Sequence, residues 1–578
     1  MAEYIGDDKP QFFDTKYAVD SKYPEEHQIV TTEDGEIAEN TDNLHRRLNN
    51  RQIQLIAIGG SIGTALFVSI GGALAHGGPG SLFIAYAIYA CFLALVCNGT
   101  AELTILYPVS GGFVRHAGHF VDKAWGFMAG WNFFLYEGLI IPFEITALTT
   151  VLGFWSDDIP SWAIPIACIV LYGLINILAV RAYGEAEFWL SGGKVILIFI
   201  LFAFTFVTMV GGNPKHDAYG FRYWNHPGAF AEHRSTGSLG RFEGFLACVW
   251  SASFCIVGPE YLSMVAAEAK RPRVYIKAAF KTIYWRFLLF FVGGALCAGI
   301  VVAYNDPTLV GIVSGDLSGG GTAAASPYVI AMDNLRIHGL QHLVNALLVT
   351  SIFSAGNTYT YCASRSLYSM ALEGRAPRVL TYTIKKGPMA GVPILCLAVT
   401  MIFPCLSFLQ VSNGSAKVLN WLINLVTAGG VITYIVMCVN YIFFYRATKA
   451  QGVERKALPY CGWFQPYSAY IGLVWMLMVV TCYGYSAYSP WSTENWFIYY
   501  AMVIVAFATF TGWKLWHRTK FIKPTEVDLV WERPTIDAYE ATFVEAPLGF
   551  WREMLQLVGI GRKKFGKDRR RSSVVYES

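Results

Sequence analysis

Stretches of about twenty mostly apolar residues return along this chain at short intervals, and a run of that length is what a helix needs to cross the hydrocarbon of a bilayer. Twelve such runs stand at 52–74, 79–106, 124–153, 160–181, 189–211, 243–266, 282–304, 341–370, 391–410, 417–443, 467–487 and 493–513. In lipid every backbone polar group must find its partner within the segment, so runs of this kind fold as helices. The expected fold class is an all-α polytopic membrane protein with twelve transmembrane helices. Charge placement agrees: 40 of the 84 Asp, Glu, Lys and Arg residues lie in 1–51 and 514–578. Residues 52–513 therefore read as a twelve-span body between two aqueous tails.

A net charge of +4 over 578 residues offers no basic surface for nucleic acid. The twelve cysteines form no CxxC pair, and most sit inside apolar runs, which argues against a disulfide scaffold, a zinc site or any other cofactor centre. The acidic, polar first fifty residues leave no cleavable signal, so the first apolar run directs insertion. Lysine and arginine concentrate in short cytoplasmic loops of membrane proteins. With the N-terminus inside, sixteen of these cations fall in inner loops and six in outer ones, four of the six in one long loop. Both termini are thus expected in the cytoplasm. Residues 305–340 are too long and mixed for a tight turn, and Ser326 to Leu340 has helical apolar spacing suited to lying across the bundle. Asn413-Gly-Ser is an outer glycosylation sequon that hugs the membrane.

Two spans carry interruptions. Span 1 holds Gly59-Gly60-Ser61-Ile62-Gly63-Thr64, and three glycines in five residues weaken a helix by roughly 0.5 to 1 kcal/mol each relative to alanine. Close helix packing explains such a run as readily as an opening does. Span 6 holds Phe254-Cys255-Ile256-Val257-Gly258-Pro259-Glu260, with glycine, proline and a carboxylate in sequence. Spans 1 and 6 correspond if spans 1–5 and 6–10 are inverted repeats, and broken helices at matching positions mark a transporter's substrate site. Freed N–H groups beside Ser61, Ile62, Gly63 and Thr64 would attract a carboxylate at the positive end of a helix dipole. Freed carbonyls would accept from an ammonium group. Together they describe a site for the zwitterion of an α-amino acid.

Charges inside spans cost about 2.5 to 3.5 kcal/mol even on a lenient insertion scale, so each needs an account. Lys194 lies near the inner end of span 5, where it either snorkels to the interface or, if enclosed, exchanges a proton during transport. Glu260, at the span 6 break, is read as a substrate-binding and proton-coupling group, and Glu144, in Pro142-Phe143-Glu144 of span 3, as a substrate-binding one. Glu102 is read as structural, paired with an inner-loop cation, and Arg365 as an interface anchor. The pairs His116/His119 and His338/His342 are read as solvated rather than metal-binding.

Several runs carry a family resemblance. Leu55-Ile-Ala-Ile-Gly-Gly-Ser-Ile-Gly-Thr64, Tyr107-Pro-Val-Ser-Gly-Gly-Phe113, Gly184-Glu-Ala-Glu-Phe-Trp189 leading to Lys194, and Gly258-Pro-Glu260 followed by Glu268-Ala-Lys-Arg-Pro-Arg273 resemble the fungal amino-acid permeases of the amino acid-polyamine-organocation superfamily. The likeness runs from about 45 to 530. It implies the LeuT-like five-plus-five inverted repeat with two further spans, and proton-coupled amino-acid uptake across the plasma membrane. By the same resemblance Gly60 to Thr64 and Gly258 to Glu260 hold the substrate's main chain, and Phe254 is an aromatic lid. Lys194 stands for a sodium ion between spans 1, 5 and 8, while Asn357 and Thr427 face the pocket.

Outer stretches such as His216-Asp-Ala-Tyr-Gly-Phe-Arg-Tyr-Trp224, Ala303-Tyr-Asn-Asp-Pro307 and Ser412-Asn-Gly-Ser-Ala-Lys417 look most like the dicarboxylic amino-acid permease subgroup. The chain departs from that subgroup at Glu144 and Pro259. A pocket-facing Glu144 would repel a second carboxylate, so acidic, neutral, broad and cationic preferences all stay open. The resemblance also suggests ubiquitin-ligase and kinase contacts at Lys9, Lys16, Lys22 and Arg569-Arg-Arg-Ser-Ser573, with plainly solvated tails as the alternative. A transport-inactive amino-acid sensor of the same fold is the competing function. A membrane-embedded enzyme is the weaker third, since no metal-spaced cluster or nucleophile elbow is present.

Overall fold

The structure, a computed structural model, describes residues 46–543 except 157, 179, 315–325, 385–391, 414 and 489, together with 552 and 555. The candidate modification sites Lys9, Lys16, Lys22 and Arg569 to Ser573 lie outside the described residues, as do Lys385, Lys386 and Gly414 of the sequon. Helices account for the described body, and pairing outside them is limited to two isolated bridges, Leu48 with Ala269 and Tyr488 with Trp491.

Helix α1 (Asn50–Ser61) stops at Ile62 and Gly63, and the chain turns helical again at Thr64, running through a wide turn (Ala65–Ser69) into α2 (Ile70–Leu106). Gly78, at φ 77°, kinks that path just before Pro79. A short α3 (Gly112–Phe120) precedes α4 (Lys123–Leu152), then α5 (Ala163–Leu178) and α6 (Val180–Met209). The second interruption separates α7 (Gly237–Cys255) from α8 (Pro259–Val265). Next come α9 (Pro272–Arg286), α10 (Gly293–Val301), α11 (Pro307–Ser314), α12 (Pro327–Asn334) and α13 (His338–Leu372). The last group is α14 (Ile394–Thr400), α15 (Gln410–Asn413), α16 (Ser415–Ala450), α17 (Tyr467–Cys482), α18 (Thr493–His517) and α19 (Arg533–Ala541).

Among the described residues nine helices are long and apolar enough to cross a bilayer. The difference from twelve has physical causes. The stretch Ala65–Leu106 is continuous across the Gly78 kink, so two expected spans merge. Helix α5 has sixteen residues, shorter than the expected 160–181, and the 35-residue α13 is diluted by Ser, Thr, Asn and Tyr. The run 391–410 is among the nine, as Ile394–Ser412, yet it is not one α-helix: α14 gives way to a tighter 3-10 stretch (Phe403–Leu409) around Pro404, which has no N–H to continue the ladder.

Helix α4 is the axis, packed against α13, α16, α18 and α3. Around it the interior is continuous aliphatic and aromatic packing. The outward faces carry bare Phe206, Trp285, Val474 and Phe507. Apolar side chains inside and outside alike are what lipid as solvent permits.

The face on which Arg115, Lys270 and Arg273 lie is covered by residues just before α1 and by the segment after α18. Leu48 N–H donates to the Glu268 carbonyl at 2.9 Å, and Lys270 N–H to the Leu48 carbonyl at 2.9 Å. Arg273 pairs with Asp537 of α19, its N–H donates to Glu540 at 2.9 Å, and the Tyr539 hydroxyl donates to the Lys270 carbonyl at 3.1 Å. Trp531 stacks on His119 with ring centres 4.0 Å apart, and Arg115 pairs with Glu532. His116 and His119 are therefore not solvated, contrary to expectation, because the segment after α18 covers them. His116 is buried with Nε2 3.0 Å from the Tyr107 carbonyl.

Burial pushes the His116 imidazole down to about 3, the Tyr107 hydrogen bond opposing, and His119 shifts the same way. Above the unfolded value near 6.5 both states are neutral and pH has no effect through this residue. Below it the unfolded chain binds a proton that the folded chain refuses, so stability falls as pH drops toward 3. From pH 7 to 5 the expected loss is on the order of 2 kcal/mol, read as a falling thermal midpoint of purified protein. His116→Gln is expected to flatten that slope, and an unchanged slope refutes the assignment.

Candidate functional site

Both interruptions have local causes. Ile62 is extended, at φ −108° and ψ 99°, and ends α1. Gly63 then lets the backbone approach α4 and α13: a Cβ there would stand 3.0 Å from Glu144 Oε1 and 3.3 Å from the Tyr359 hydroxyl. In the second interruption Gly258 sits at φ 153°, where a side chain is strained, and Pro259 begins α8 at a position that needs no N–H.

Glu144 lies in the second half of α4, almost fully buried, and faces the first interruption. The Thr64 hydroxyl donates to Glu144 Oε2. A carboxylate of the chain itself thus occupies the start of the resumed helix, the place where a substrate carboxylate was expected. The Ile62 N–H is not freed, since it donates to the Ile58 carbonyl at 2.8 Å. Of Gly60 and Ser61 only the backbone is described, as the last turn of α1.

Lys194 is 0% exposed and acts electrostatically on Glu144. Of its two readings, enclosure holds and snorkelling does not. At the second interruption Glu260, also buried, accepts from the Gly258 N–H at 3.2 Å and from the Tyr434 hydroxyl at 3.1 Å. Phe254 closes on α4, its ring centre 5.1 Å from that of Phe143 in an edge-on contact next to Glu144. Gly63, Thr64, Glu144, Lys194 and Phe254 therefore form one neighbourhood, with Glu260 at the other break.

Asn357 and Thr427 are not brought into it by any hydrogen bond. Asn357 Oδ1 accepts from Asn176 of α5 at 3.0 Å. Ala355 and Tyr359 are the α13 residues against Gly63, and at 100° per residue Asn357 points well away from both. The Thr427 hydroxyl donates to its own helix, at the Ile423 carbonyl.

Two other charges find partners inside the protein. Glu102 receives Arg455 at 2.9 and 2.7 Å, as expected of an inner-loop cation. Arg365 is not an interface anchor: only 11% of its side chain is exposed, and it stands 3.7 Å from Glu268 and over the Tyr361 ring, because Glu268 follows α8 into the bundle. Glu137, Tyr261, Tyr359 and Tyr434 escaped the sequence reading. Glu137 carried the same signal as Glu144, an acidic residue in an apolar run; the tyrosines carried none.

The amino acid permease family model matches residues 52–524. The general amino acid permease AGP2 of Saccharomyces cerevisiae is 46% identical over 505 residues, covering 86% of this chain and 83% of that protein. A proline-specific permease of Emericella nidulans is 36% identical, covering 88% and 91%. The dicarboxylic amino acid permease of S. cerevisiae is 35% identical, covering 85% and 80%, so the resemblance to that subgroup is one among several. These relatives are named as permeases, not enzymes. With a matching model over most of its length and such relatives, the chain belongs to the fungal amino acid permeases, multi-pass membrane proteins of amino-acid transport.

Proposed function

We propose that this chain takes up amino acids across the fungal plasma membrane by proton symport. In this reading the body is two inverted five-span repeats plus two spans, both ends are cytoplasmic, and Gly78 divides the merged stretch Ala65–Leu106 into two of twelve spans. One observation carries the mechanism: Glu144 sits against Gly63 and Thr64 with Lys194 acting on it. Two carboxylates cannot share one helix terminus. A substrate carboxylate can take the Thr64 position only when Glu144 is protonated and yields it, so substrate and proton bind together. Lys194 then balances whichever anion remains. The substrate ammonium is left to the open carbonyls and Glu260 at the second break, while Phe254 covers it. Because the contacts address only the groups every amino acid shares, relatives named as general, proline-specific and dicarboxylic permeases are compatible with one such core.

The test is uptake of labelled amino acids in cells stripped of their own permeases, with and without a protonophore. Accumulation on the order of 100-fold above the medium is expected, collapsing to the level of the medium once the gradient is dissipated. Uptake that survives the protonophore removes the coupling. Surface-localised protein that signals without flux hands the same site to sensing.

A further inference from the structure

Among the described residues Glu137 makes neither a hydrogen bond nor an ion pair with the residues of either break. It lies on α4 seven residues before Glu144, two turns along the same face and about 10 Å closer to the end of the helix assigned to the cytoplasm. Its side chain is 0% exposed, and among the described residues neither carboxylate oxygen accepts a hydrogen bond. The titratable groups that act on it are Tyr136 on its own helix, Glu260 and Tyr261 on α8, and Tyr359 on α13. The Tyr261 hydroxyl faces the Glu137 carboxylate without closing a hydrogen bond, so both groups have open valences. The Tyr261 and Tyr359 rings are 6.1 Å apart, and the Tyr359 hydroxyl stands beside Gly63 and Glu144. Glu144, Tyr359, Tyr261 and Glu137, each able to carry a proton, thus stand one after another from the first break past the second, with the Tyr261 hydroxyl and the Glu137 carboxylate not hydrogen-bonded. Chains keep an ionisable group at membrane depth where a substrate, ion or proton uses it.

We propose that Glu137 is a second proton-carrying site, the station between Glu144 and the cytoplasm. It rests on the proton-coupled reading above. When Glu144 gives up its proton on substrate release, an O–H bond breaks there and one forms on Glu137. Each intervening hydroxyl accepts one proton and passes on another, and no electrons change hands. Water on the cytoplasmic side then removes the proton from Glu137.

The experiment uses the full chain in lipid vesicles with whichever of labelled proline, lysine or glutamate the wild type accumulates. Failure of the wild type to accumulate any under a pH gradient counts against proton coupling, not against Glu137. Glu137→Gln is expected to keep exchange of labelled for unlabelled amino acid, at equal pH on both sides, within about 2-fold. Gradient-driven accumulation and substrate-evoked acidification of the lumen should each fall at least 10-fold. Glu137→Asp, which keeps a titratable carboxyl, is expected to accumulate more than Glu137→Gln. Wild-type accumulation by Glu137→Gln, loss of exchange together with accumulation, or equal loss in both variants overturns the proposal. If the amide variant does not fold, Tyr261→Phe cuts the same row one hydroxyl earlier. It is expected to slow acidification at least 5-fold, and an unchanged rate overturns the proposal.

Discussion

Lys194→Met is expected to reach the cell surface in normal amount and to lose accumulation altogether, the ratio of internal to external labelled amino acid falling to about 1. The side chain is fully buried in α6 and acts on Glu144, which in turn holds Thr64 at the first interruption. Methionine has nearly the same length and flexibility, so it fills the space and removes only the charge. Without the ammonium group, no cation balances the carboxylate that stays at Thr64 when substrate and proton leave. The two binding events then lose their linkage. A coupling free energy of roughly 3 kcal/mol corresponds to on the order of 100-fold in affinity, and that is the size of the loss to be measured. The check is paired surface labelling and steady-state accumulation. Accumulation at the wild-type level in the variant would reduce Lys194 to a packing residue and leave proton coupling to other groups.

What the sequence could disclose divides along physical lines. Apolar runs announce helices because lipid admits nothing else, and α4, α6, α7, α16, α17 and α18 appear where the runs stand. The interruptions were legible as well, since Gly63, Gly258 and Pro259 are poor helix residues whatever surrounds them. Partnership was legible only where chemistry left one choice. Glu102 needed a cation from an inner loop and has Arg455. Arg365 had two outlets, interface or interior, and only the three-dimensional position of Glu268 decides between them. His116 looked solvated because nothing in a local sequence window says that residues 528–532 return to cover it. The occupant of the Thr64 site was hidden for the same reason: Glu144 lies eighty residues away, and the meeting depends on how α4 crosses the break.

Arg455→Met is expected to be the most damaging substitution for folding outside the central site. Glu102 is buried in α2 with its side chain shut off from solvent, and Arg455 grips it with two nitrogens at 2.9 and 2.7 Å. The Tyr441 hydroxyl at 3.0 Å and the Gly462 N–H at 2.8 Å complete the shell. Removing one partner of a buried ion pair costs about 3 to 5 kcal/mol, because the other charge remains without compensation. Here the lower end applies, about 3 kcal/mol, since two neutral donors stay and Arg455 itself is partly exposed. Against the 5 to 15 kcal/mol typical of a folded domain, that is a large share. Surface expression should fall severalfold and the thermal midpoint of purified protein should drop. The double variant Glu102→Gln with Arg455→Met removes the orphaned charge, so it is expected to be more stable than Arg455→Met alone. A double-mutant cycle isolates this coupling from lost packing. Equal stability of the single and double variants would mean that the pair contributes through shape rather than charge, and that α2 is anchored to the loop after α16 by the Tyr441 and Gly462 contacts instead.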